Sequence, residues 1–194
     1  MNFTAIDFET ATKERTSVCS LGLCVVENNK VTERKEILVK PDPFEFNEYN
    51  IKIHGITPEM VIFKPTFDKY WDEIKPYIEN RMNIAHNASF EVNVLLSTLT
   101  HFGIAIPTFS YMCTVILSQK AYPELPSHKL NNLAAALGIS FEHHRAYDDA
   151  YACAMALLRI CEDYSLTSFE EIEAKFSTKR KFVNKNTYMK LKKV

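Results

Sequence analysis

The chain opens with MNFTAIDFETATKER (Met1–Arg15), whose first nine residues have the pattern of a strand buried in a protein interior. Asp7 and Glu9 stand two positions apart in this strand, so both carboxylates project from the same face. Two like charges close together in a poorly solvated place raise each other's pKa unless a positive group neutralises them. The stretch therefore predicts a buried strand whose acidic end meets a cation.

Composition indicates a single domain without a membrane segment. The 194 residues, of which 46% are hydrophobic, suffice for one substantial core but not for two independent ones. The first residues do not have the pattern of a secretion signal, and no apolar run is long enough to cross a bilayer. The five cysteines form no Cys-x-x-Cys pair and lie in apolar segments, which is typical of reduced thiols. These features predict a cytoplasmic protein.

Charge is distributed unevenly along the chain. All 24 acidic residues precede Ala174, whereas eight of the 23 basic residues lie between Ala174 and Val194. We therefore divide the chain into a globular domain, residues 1–173, and a basic C-terminal tail, residues 174–194. Such a tail either contacts nucleic-acid phosphates or is a solvated C-terminus that offsets an acidic body.

Periodicity predicts an α/β fold with a mixed sheet. Three strands in succession favour an antiparallel β-meander, and the later alternation of helices with strands favours βαβ units with helices on both faces. Pro76 is expected to kink or end the helix that begins near Phe67. The predicted strands are 2–8, 18–26, 31–40, 82–85 and 109–112. The predicted helices begin at 58 and 67 and cover 89–101, 114–121, 130–137, 148–162 and 168–176.

Two further acids are predicted to face the sheet. Glu91 shares a helical face with apolar neighbours, and Asp149 lies on a helix whose small residues allow close approach. Periodicity does not choose between Asp149 and Asp148, and either acid alone could serve the helix N-terminus. His144 can reach the same place from the preceding loop, although it could equally form a solvated pair with His143. If these acids converge, divalent cations are the ordinary way to stabilise them.

Four short motifs carry a specific resemblance. They are IDFET (6–10), HGIT (54–57), AHNASFE (85–91) and HHRAYDDA (143–150). In this order they resemble the DEDDh family of 3′→5′ exonucleases, which includes the proofreading subunits of replicative polymerases. AHNASF followed by CTVILSQKAYPELPSHKLNNLAAALGI (113–139) looks most like exonuclease X and related stand-alone enzymes. The resemblance covers residues 2–160 and implies a ribonuclease H-like fold, with residues 1–173 as the exonuclease domain.

The resemblance implies a role for each of the converging residues. Asp7, Glu9 and Asp149 would bind one divalent ion, and Asp7 would also reach a second ion. Glu91 stands at the position of the remaining acid. His144 would be the general base that takes a proton from the attacking water. A tyrosine-using sibling class is not indicated, because Arg145 occupies the position of its tyrosine. The expected cofactors are two divalent cations, Mg²⁺ or Mn²⁺.

Substrate contacts are also implied by the resemblance. The terminal nucleotide is expected to meet Thr10 and the backbone around Phe8, with the remaining contacts from Ile53, His54, Asn87 and Phe90. His54 and Gly55 can also be a turn before a helix, and Asn87 can be a helix cap. Unpaired bases stack on such apolar and aromatic side chains with little sequence preference.

Glu91 departs from the family pattern, which usually has Asp at this position. The extra methylene extends the carboxylate and changes the geometry available to the second ion. The leading hypothesis is a 3′→5′ exonuclease that acts on single-stranded DNA and releases nucleoside monophosphates. The alternatives are an exoribonuclease on RNA 3′ ends and a weakly active nucleic-acid-binding or polymerase-associated module. A DNA polymerase or repair complex stays open as a partner, as does the oligomeric state.

Overall fold

A computed structural model describes residues 1–185, which form one six-stranded mixed sheet with helices on both faces. The strand order is β3-β2-β1-β4-β5-β6. In chain order the elements are β1 Phe3–Thr10, β2 Val18–Glu27, β3 Lys30–Leu38, α1 Glu48–His54, α2 Pro58–Val61, α3 Phe67–Ile78, β4 Met82–Ala85, α4 Ala88–His101, β5 Phe109–Cys113, α5 Thr114–Ala121, α6 Leu130–Ala136, α7 Ala146–Asp163, α8 Phe169–Phe176 and β6 Lys181–Val183.

Alternating side chains divide the core of the sheet into two layers. Ile6 and Phe8 of β1 pack on the face covered by α3 and α4. Phe3 and Ala5 pack on the other face, which α5, α7 and α8 cover. Because Asp7 and Glu9 continue the second series, the alternation of the strand places both carboxylates on the α7 side. The buried apolar residues before them therefore determine which helix they meet.

The carboxyl ends of the three parallel strands lie together. β1 pairs with β4 only at Thr4 and Ala5, and β4 pairs with β5 along its whole length. Beyond Ala5, β1 separates from β4 while it continues its antiparallel pairing with β2. Crevices at the carboxyl ends of such strands are the usual ligand sites of open α/β sheets. The acidic end of β1 lies at this crevice.

Gly22 of β2 permits α7 to pack closely on the sheet. It pairs with Asp7, and a Cβ atom built on it would lie 1.8 Å from the carbonyl oxygen of Ala146. No side chain fits at that separation, so glycine allows the first turn of α7 to approach the strand backbone. Small buried residues along α7 extend the close contact: Ala150, Ala152, Cys153, Ala154 and Ala156.

Arg34 of β3 fixes the same end of α7. Its guanidinium lies 4.1 Å from the ring centroid of Tyr147 and 4.0 Å from that of Tyr151. It also forms an ion pair with Asp148. Stacked and ion-paired arginines hold a single orientation well, because the planar guanidinium meets both kinds of partner at once. Asp148 thus faces β3, which leaves Asp149 to face β1.

The predicted fold is confirmed, including the antiparallel meander, the mixed sheet and the helices on both faces. Pro76 lies in the last turn of α3, which ends two residues later at Ile78. Helix α1 was not predicted, and β6 was not predicted either. Two structural facts bear on the proposed division at residue 174: this position lies within α8, and β6 pairs with β5. Residues 186–194 lie outside the described part of the chain.

None of the helices within residues 1–185 combines the length and the apolar character that crossing a bilayer requires. The five cysteines are all free thiols, and four of them are buried: Cys19, Cys24, Cys153 and Cys161.

Candidate active site

A cleft of about 660 Å³ lies at the carboxyl ends of β1, β4 and β5. Its polar lining includes Asp7, Glu9, Glu91, Asp149 and four histidines, His86, His128, His143 and His144. Several elements that are distant in sequence therefore meet at one depression. The four acids singled out from the sequence are all among the residues that line it.

Three carboxylates converge at the base of the cleft. Asp7, Glu9 and Asp149 each present an oxygen, and these three atoms lie within 4.8 Å of one another. The first two come from adjacent positions on one face of β1, and the third comes from the first turn of α7. Their convergence depends on the close packing at Gly22 and on the orientation of α7 by Arg34.

Glu91 approaches the cluster from the opposite face of the sheet. Its side chain is 5% exposed, and its Oε2 atom accepts a hydrogen bond of 2.9 Å from the backbone N–H of Phe8. This N–H is accessible because β1 separates from β4 after Ala5. A hydrogen bond from a buried backbone N–H to a carboxylate is a strong contact. It fixes the Glu91 carboxylate at Phe8, the residue between Asp7 and Glu9 in β1.

The electrostatics of the cluster show excess negative charge. Burial raises the pKa of Asp7 well above its usual value, and repulsion from Glu91, Asp149 and Glu9 adds to the effect. Burial and repulsion from Asp149 and Glu36 raise the pKa of Glu9 to about 8. Burial also raises the pKa of Glu91 well above its usual value, despite the Phe8 hydrogen bond. A bound cation would relieve this repulsion.

These residues fit divalent cations on the chemistry of their donors. Hard cations such as Mg²⁺ and Mn²⁺ prefer carboxylate oxygens, and the three oxygens are close enough to share one ion. Because burial and mutual repulsion raise the pKa of Asp7 and Glu9, a positive charge beside these carboxylates would be stabilising. Burial likewise raises the pKa of Asp149, although a hydrogen bond from His143 opposes the shift.

Two adjacent histidines stand beside Asp149. The Nδ1 atom of His143 lies 2.7 Å from Oδ1 of Asp149. The ring of His144 stacks on that of His143, with 3.8 Å between the centroids, and its backbone is left-handed with φ 66°. Burial and the neighbouring His143 lower the pKa of His144, which favours its neutral form. The contact between His143 and Asp149 was not predicted, since loop conformation decides which of two neighbours reaches the acid.

The side chains of Phe8 and Thr10 are buried. The Phe8 ring is 3% exposed and packs in the core, 6.5 Å between centroids from Phe67. Thr10 is 9% exposed, and its carbonyl oxygen accepts a hydrogen bond from Nδ2 of Asn50. Asn50 was not singled out from the sequence. Any contact of Phe8 with a ligand in the cleft is therefore a backbone contact.

His54 and Ile53 lie at the end of α1, with different exposure. Nδ1 of His54 accepts a hydrogen bond from the Ile56 N–H, so Nε2 carries the proton and donates to the Thr10 carbonyl at 3.3 Å. His54 is buried and joins α1 to β1, and Gly55 ends the helix with φ 73°. Ile53 is 37% exposed and lines a neighbouring groove, together with His143 and His144.

Asn87 and Phe90 lie at the start of α4. Asn87 occupies the N-cap position in a left-handed conformation, φ 65°, and its side chain makes no capping hydrogen bond. Its Oδ1 instead accepts from the hydroxyl of Ser89 at 3.2 Å, and the residue lines the cleft. Phe90 is 36% exposed and is not among the described residues that line the cleft. Of the two, Asn87 is thus the residue that shares the cleft with the acidic cluster.

His86 is a polar residue of the cleft that sequence reasoning did not single out. Its Nδ1 atom lies 2.9 Å from the hydroxyl of Thr114, and its Nε2 atom is buried without a hydrogen-bond partner among the described residues. Burial lowers its pKa to about 4. The signal was present in the AHNASFE motif, in which His86 directly follows the buried strand β4.

Sequence and structure comparisons agree with this geometry. The profile of the RNase T exonuclease family matches residues 4–157. DNA polymerase III subunit epsilon of Treponema pallidum is 30% identical over 156 residues, which cover 78% of this chain and 72% of that protein. The PolC-type DNA polymerase III of Clostridium perfringens is 31% identical over 161 residues, which cover 80% of this chain and 11% of the polymerase. The chain therefore spans about a tenth of the length of that relative.

A solved structure supports the fold. Exonuclease X in complex with 5′-overhanging duplex DNA superposes with a TM-score of 0.72 at 24% identity, covering 90% of this chain and 99% of the other. The fold and the acidic cleft define a nuclease of the ribonuclease H-like class. The chain belongs to the RNase T exonuclease family, within the DEDDh exonuclease superfamily, as its motifs predicted.

Proposed function

We propose that this protein is a metal-dependent 3′→5′ exonuclease that removes nucleoside monophosphates from the 3′ end of single-stranded DNA. The observation that carries the proposal is the convergence of Asp7, Glu9 and Asp149 within 4.8 Å at the base of an open cleft. Membership of the exonuclease family supports the reaction class. A site of this kind hydrolyses a phosphodiester bond when the strand end lies against the acids.

The four acids are assigned to two divalent ions. Asp7, Glu9 and Asp149 would hold the first ion, and Asp7 and Glu91 would contribute to the second. When bound, such ions neutralise phosphate charge and lower the pKa of water. Glu91 is held in place for this role by its hydrogen bond to the Phe8 N–H. Glu9 and Asp149 approach from different elements, so the assembled fold sets their separation.

His144 is assigned as the general base. Its lowered pKa keeps the ring neutral near pH 7, as proton abstraction from water requires. The ring lines the cleft and is held by stacking on His143. His143, whose Nδ1 atom is in contact with Asp149, orients that acid.

The terminal nucleotide is assigned to the cleft between these acids and the start of α4. Phe8, through its backbone, and Asn87 line the cleft and are assigned to the border of the nucleotide. The family resemblance adds Thr10, which is not among the described residues that line the cleft. Ile53 offers an apolar surface beside the histidine pair, and His54 keeps this surface in place. Phe90 is not among the described residues that line the cleft, but its partly exposed ring is assigned to an unpaired base.

The decisive experiment measures mononucleotide release from 3′-labelled DNA and RNA single strands in Mg²⁺ or Mn²⁺. We expect release from DNA, its loss in EDTA, and its loss in Asp149→Asn. Asp163→Asn, at the other end of α7, is the matched control and should retain the parental rate. Faster release from RNA would replace DNA by RNA as the substrate. Binding without release from either strand would make the protein a nucleic-acid-binding module.

Polymerases are the first class of partner to test. The named relatives are a PolC-type polymerase and an epsilon subunit of DNA polymerase III, so the proposed role is editing or repair beside a polymerase. Copurification of the tagged chain with a polymerase would support this role. Full activity together with recovery of the chain alone would favour a stand-alone enzyme.

A further inference from the structure

A second groove, of about 260 Å³, adjoins the catalytic cleft. Asn87 and Val115 line both depressions, so the two are neighbours on the surface. The second runs between the start of α4, the start of α5 and the edge strand β6. We name it the β6 groove and define it by Ser89, Tyr111, Val115, Ile116, Lys179 and Lys181.

The floor of the β6 groove is apolar and partly aromatic. Val115 and Tyr111 are half-buried, and Ile116 is 41% exposed. Such a surface suits the flat face of an unpaired base, because stacking needs no particular hydrogen-bond pattern. The groove thus differs from the catalytic cleft, whose base consists of carboxylates.

The rim of the β6 groove is basic. Lys179 and Lys181 are exposed, and the ammonium of Lys181 lies 5.9 Å from the ring centroid of Tyr111. Arg180, between them in sequence, is bound by Glu173 and Glu170. Among residues 1–185, neither Lys179 nor Lys181 forms a salt bridge with an acidic side chain, as Arg180 does. Two exposed ammonium groups beside an apolar floor are a combination that suits a single strand.

The rim is fixed to the fold by several contacts. β6 pairs with β5, which sets Lys181 opposite Tyr111. Lys120 of α5 donates a hydrogen bond of 2.9 Å to the carbonyl of Ser177, just before the rim. Residues 177–183 lie beyond residues 4–157, to which the family profile extends. The rim of the β6 groove therefore lies outside the residues that the family profile matches.

We propose that the β6 groove binds the single strand immediately 5′ of the nucleotide in the catalytic cleft, with Lys179 and Lys181 on its phosphates and Tyr111, Val115 and Ile116 against its bases. The proposal rests on the proposed exonuclease function for the direction of the strand. Because Asn87 and Val115 line both depressions, one strand that passes over these two residues can occupy both. Short substrates then occupy only the cleft, whereas longer strands gain the second contact.

The test compares Lys179→Glu/Lys181→Glu with the parent in binding a 12-nucleotide oligo-dT, labelled at its 5′ end, by fluorescence anisotropy in EDTA. We expect about tenfold weaker binding, and a slope of log affinity against log salt that is shallower by about 1.4, as loss of two phosphate contacts predicts. An oligo-rU of the same length provides the second arm. Lys30→Glu, at the opposite edge of the sheet, is the control and should bind within twofold of the parent.

Hydrolysis of the dinucleotide dTpdT separates the two proposals. In the double variant its rate should stay within twofold of the parental rate, because the catalytic cleft is intact. Failure of the parent to cleave any strand would contradict the exonuclease proposal. The binding comparison in EDTA does not depend on cleavage, so it would still test whether the β6 groove binds the strand. Equal affinity of parent and double variant for both strands, or an equal loss in Lys30→Glu, would overturn the β6 groove proposal.

Discussion

Glu91 stands where the motif pattern that this chain resembles usually has Asp. The longer side chain has a structural use, since its Oε2 atom reaches the Phe8 N–H at 2.9 Å. An aspartate on the same helix would end one methylene short of this donor. The length of the Glu91 side chain therefore matches the gap between β1 and α4.

We expect Glu91→Asp to be slower than the parent and to need more Mg²⁺ for half-maximal rate, because the hydrogen bond that orients the carboxylate is lost. Glu91→Gln should lose activity at low metal concentration and recover part of it at high concentration. Metal titrations of the initial rate check both variants. A faster Glu91→Asp enzyme would mean that the helix has not adjusted to glutamate. Rates of Glu91→Gln equal to the parent throughout would remove Glu91 from the ligand set.

The histidine pair gives a prediction in which neighbouring residues control for each other. His144→Ala should lower kcat by about 100-fold or more, with strand affinity little changed, because a general base acts in the transition state. His143→Ala should cost less, since its ring supports Asp149 and the stack. Single-turnover rates and binding constants for both variants provide the check. A larger kcat loss in His143→Ala would transfer the role of base to His143.

At the scale of elements, the approach of α7 to β2 assembles the cluster. Gly22→Ala places a methyl group 1.8 Å from the Ala146 carbonyl oxygen, so strand and helix must separate. We expect a loss of at least about 2 kcal/mol in the free energy of unfolding, from overpacking, together with loss of activity. Urea unfolding and rate measurements check this.

Gly138→Ala is the matched control for Gly22→Ala. A Cβ atom at Gly138 meets open space, although its positive φ of 68° makes alanine strained there. We expect this variant to lose some stability and to keep its kcat. An active Gly22→Ala protein of parental stability would show that the close approach is not required.

Elements with strong local patterns were predictable, and those that depend on distant partners were not. β4 and α5 have the predicted bounds, because an apolar run and a helical pattern define them locally. β6 has three residues in a basic stretch and exists only through its pairing with β5. α1 has a polar sequence, and it is stabilised by the Asn47 cap and by His54 against Thr10.

The residues of the candidate site likewise include some that local sequence predicted and others that only tertiary contacts placed. Strand alternation alone placed Asp7 and Glu9 together. The choice of Asp149 over Asp148 depends on the ion pair between Asp148 and Arg34, a residue of β3 far away in sequence. The contact of His143 with Asp149 depends on the conformation of a loop. Sequence pattern thus indicated the acids, and tertiary packing determined their orientation and neighbours.

At the scale of the whole molecule, the acidic cluster opposes folding unless it is neutralised. Because the pKa of Glu9 is raised from 4.5 to about 8, the stability associated with its protonated form is present below pH 4.5 and is lost as the pH rises through 8. The raised pKa of Asp7 acts in the same direction. In EDTA the protein should therefore unfold at a lower temperature as the pH increases over this interval.

Asp7→Asn isolates this effect. It should abolish activity, raise the unfolding temperature in EDTA at pH 8, and reduce the stabilisation that Mn²⁺ gives the parent. Near pH 4.5 the difference between parent and variant in EDTA should be smaller, because the carboxylates are then largely protonated. Thermal unfolding followed by circular dichroism measures all three values. An Asp7→Asn protein that Mn²⁺ stabilises as much as the parent would contradict the ligand assignment.

Because the acidic cluster combines an early strand, β1, with a late helix, α7, it can form only late in the synthesis of the chain. Asp7, Glu9 and Glu91 leave the ribosome early, whereas Asp149 follows only after β5, α5 and α6. Until α7 has emerged and docked on Gly22, the carboxylates cannot form their cluster. A half-made chain therefore lacks one acid of the proposed metal site, and assembly of that site coincides with completion of the core.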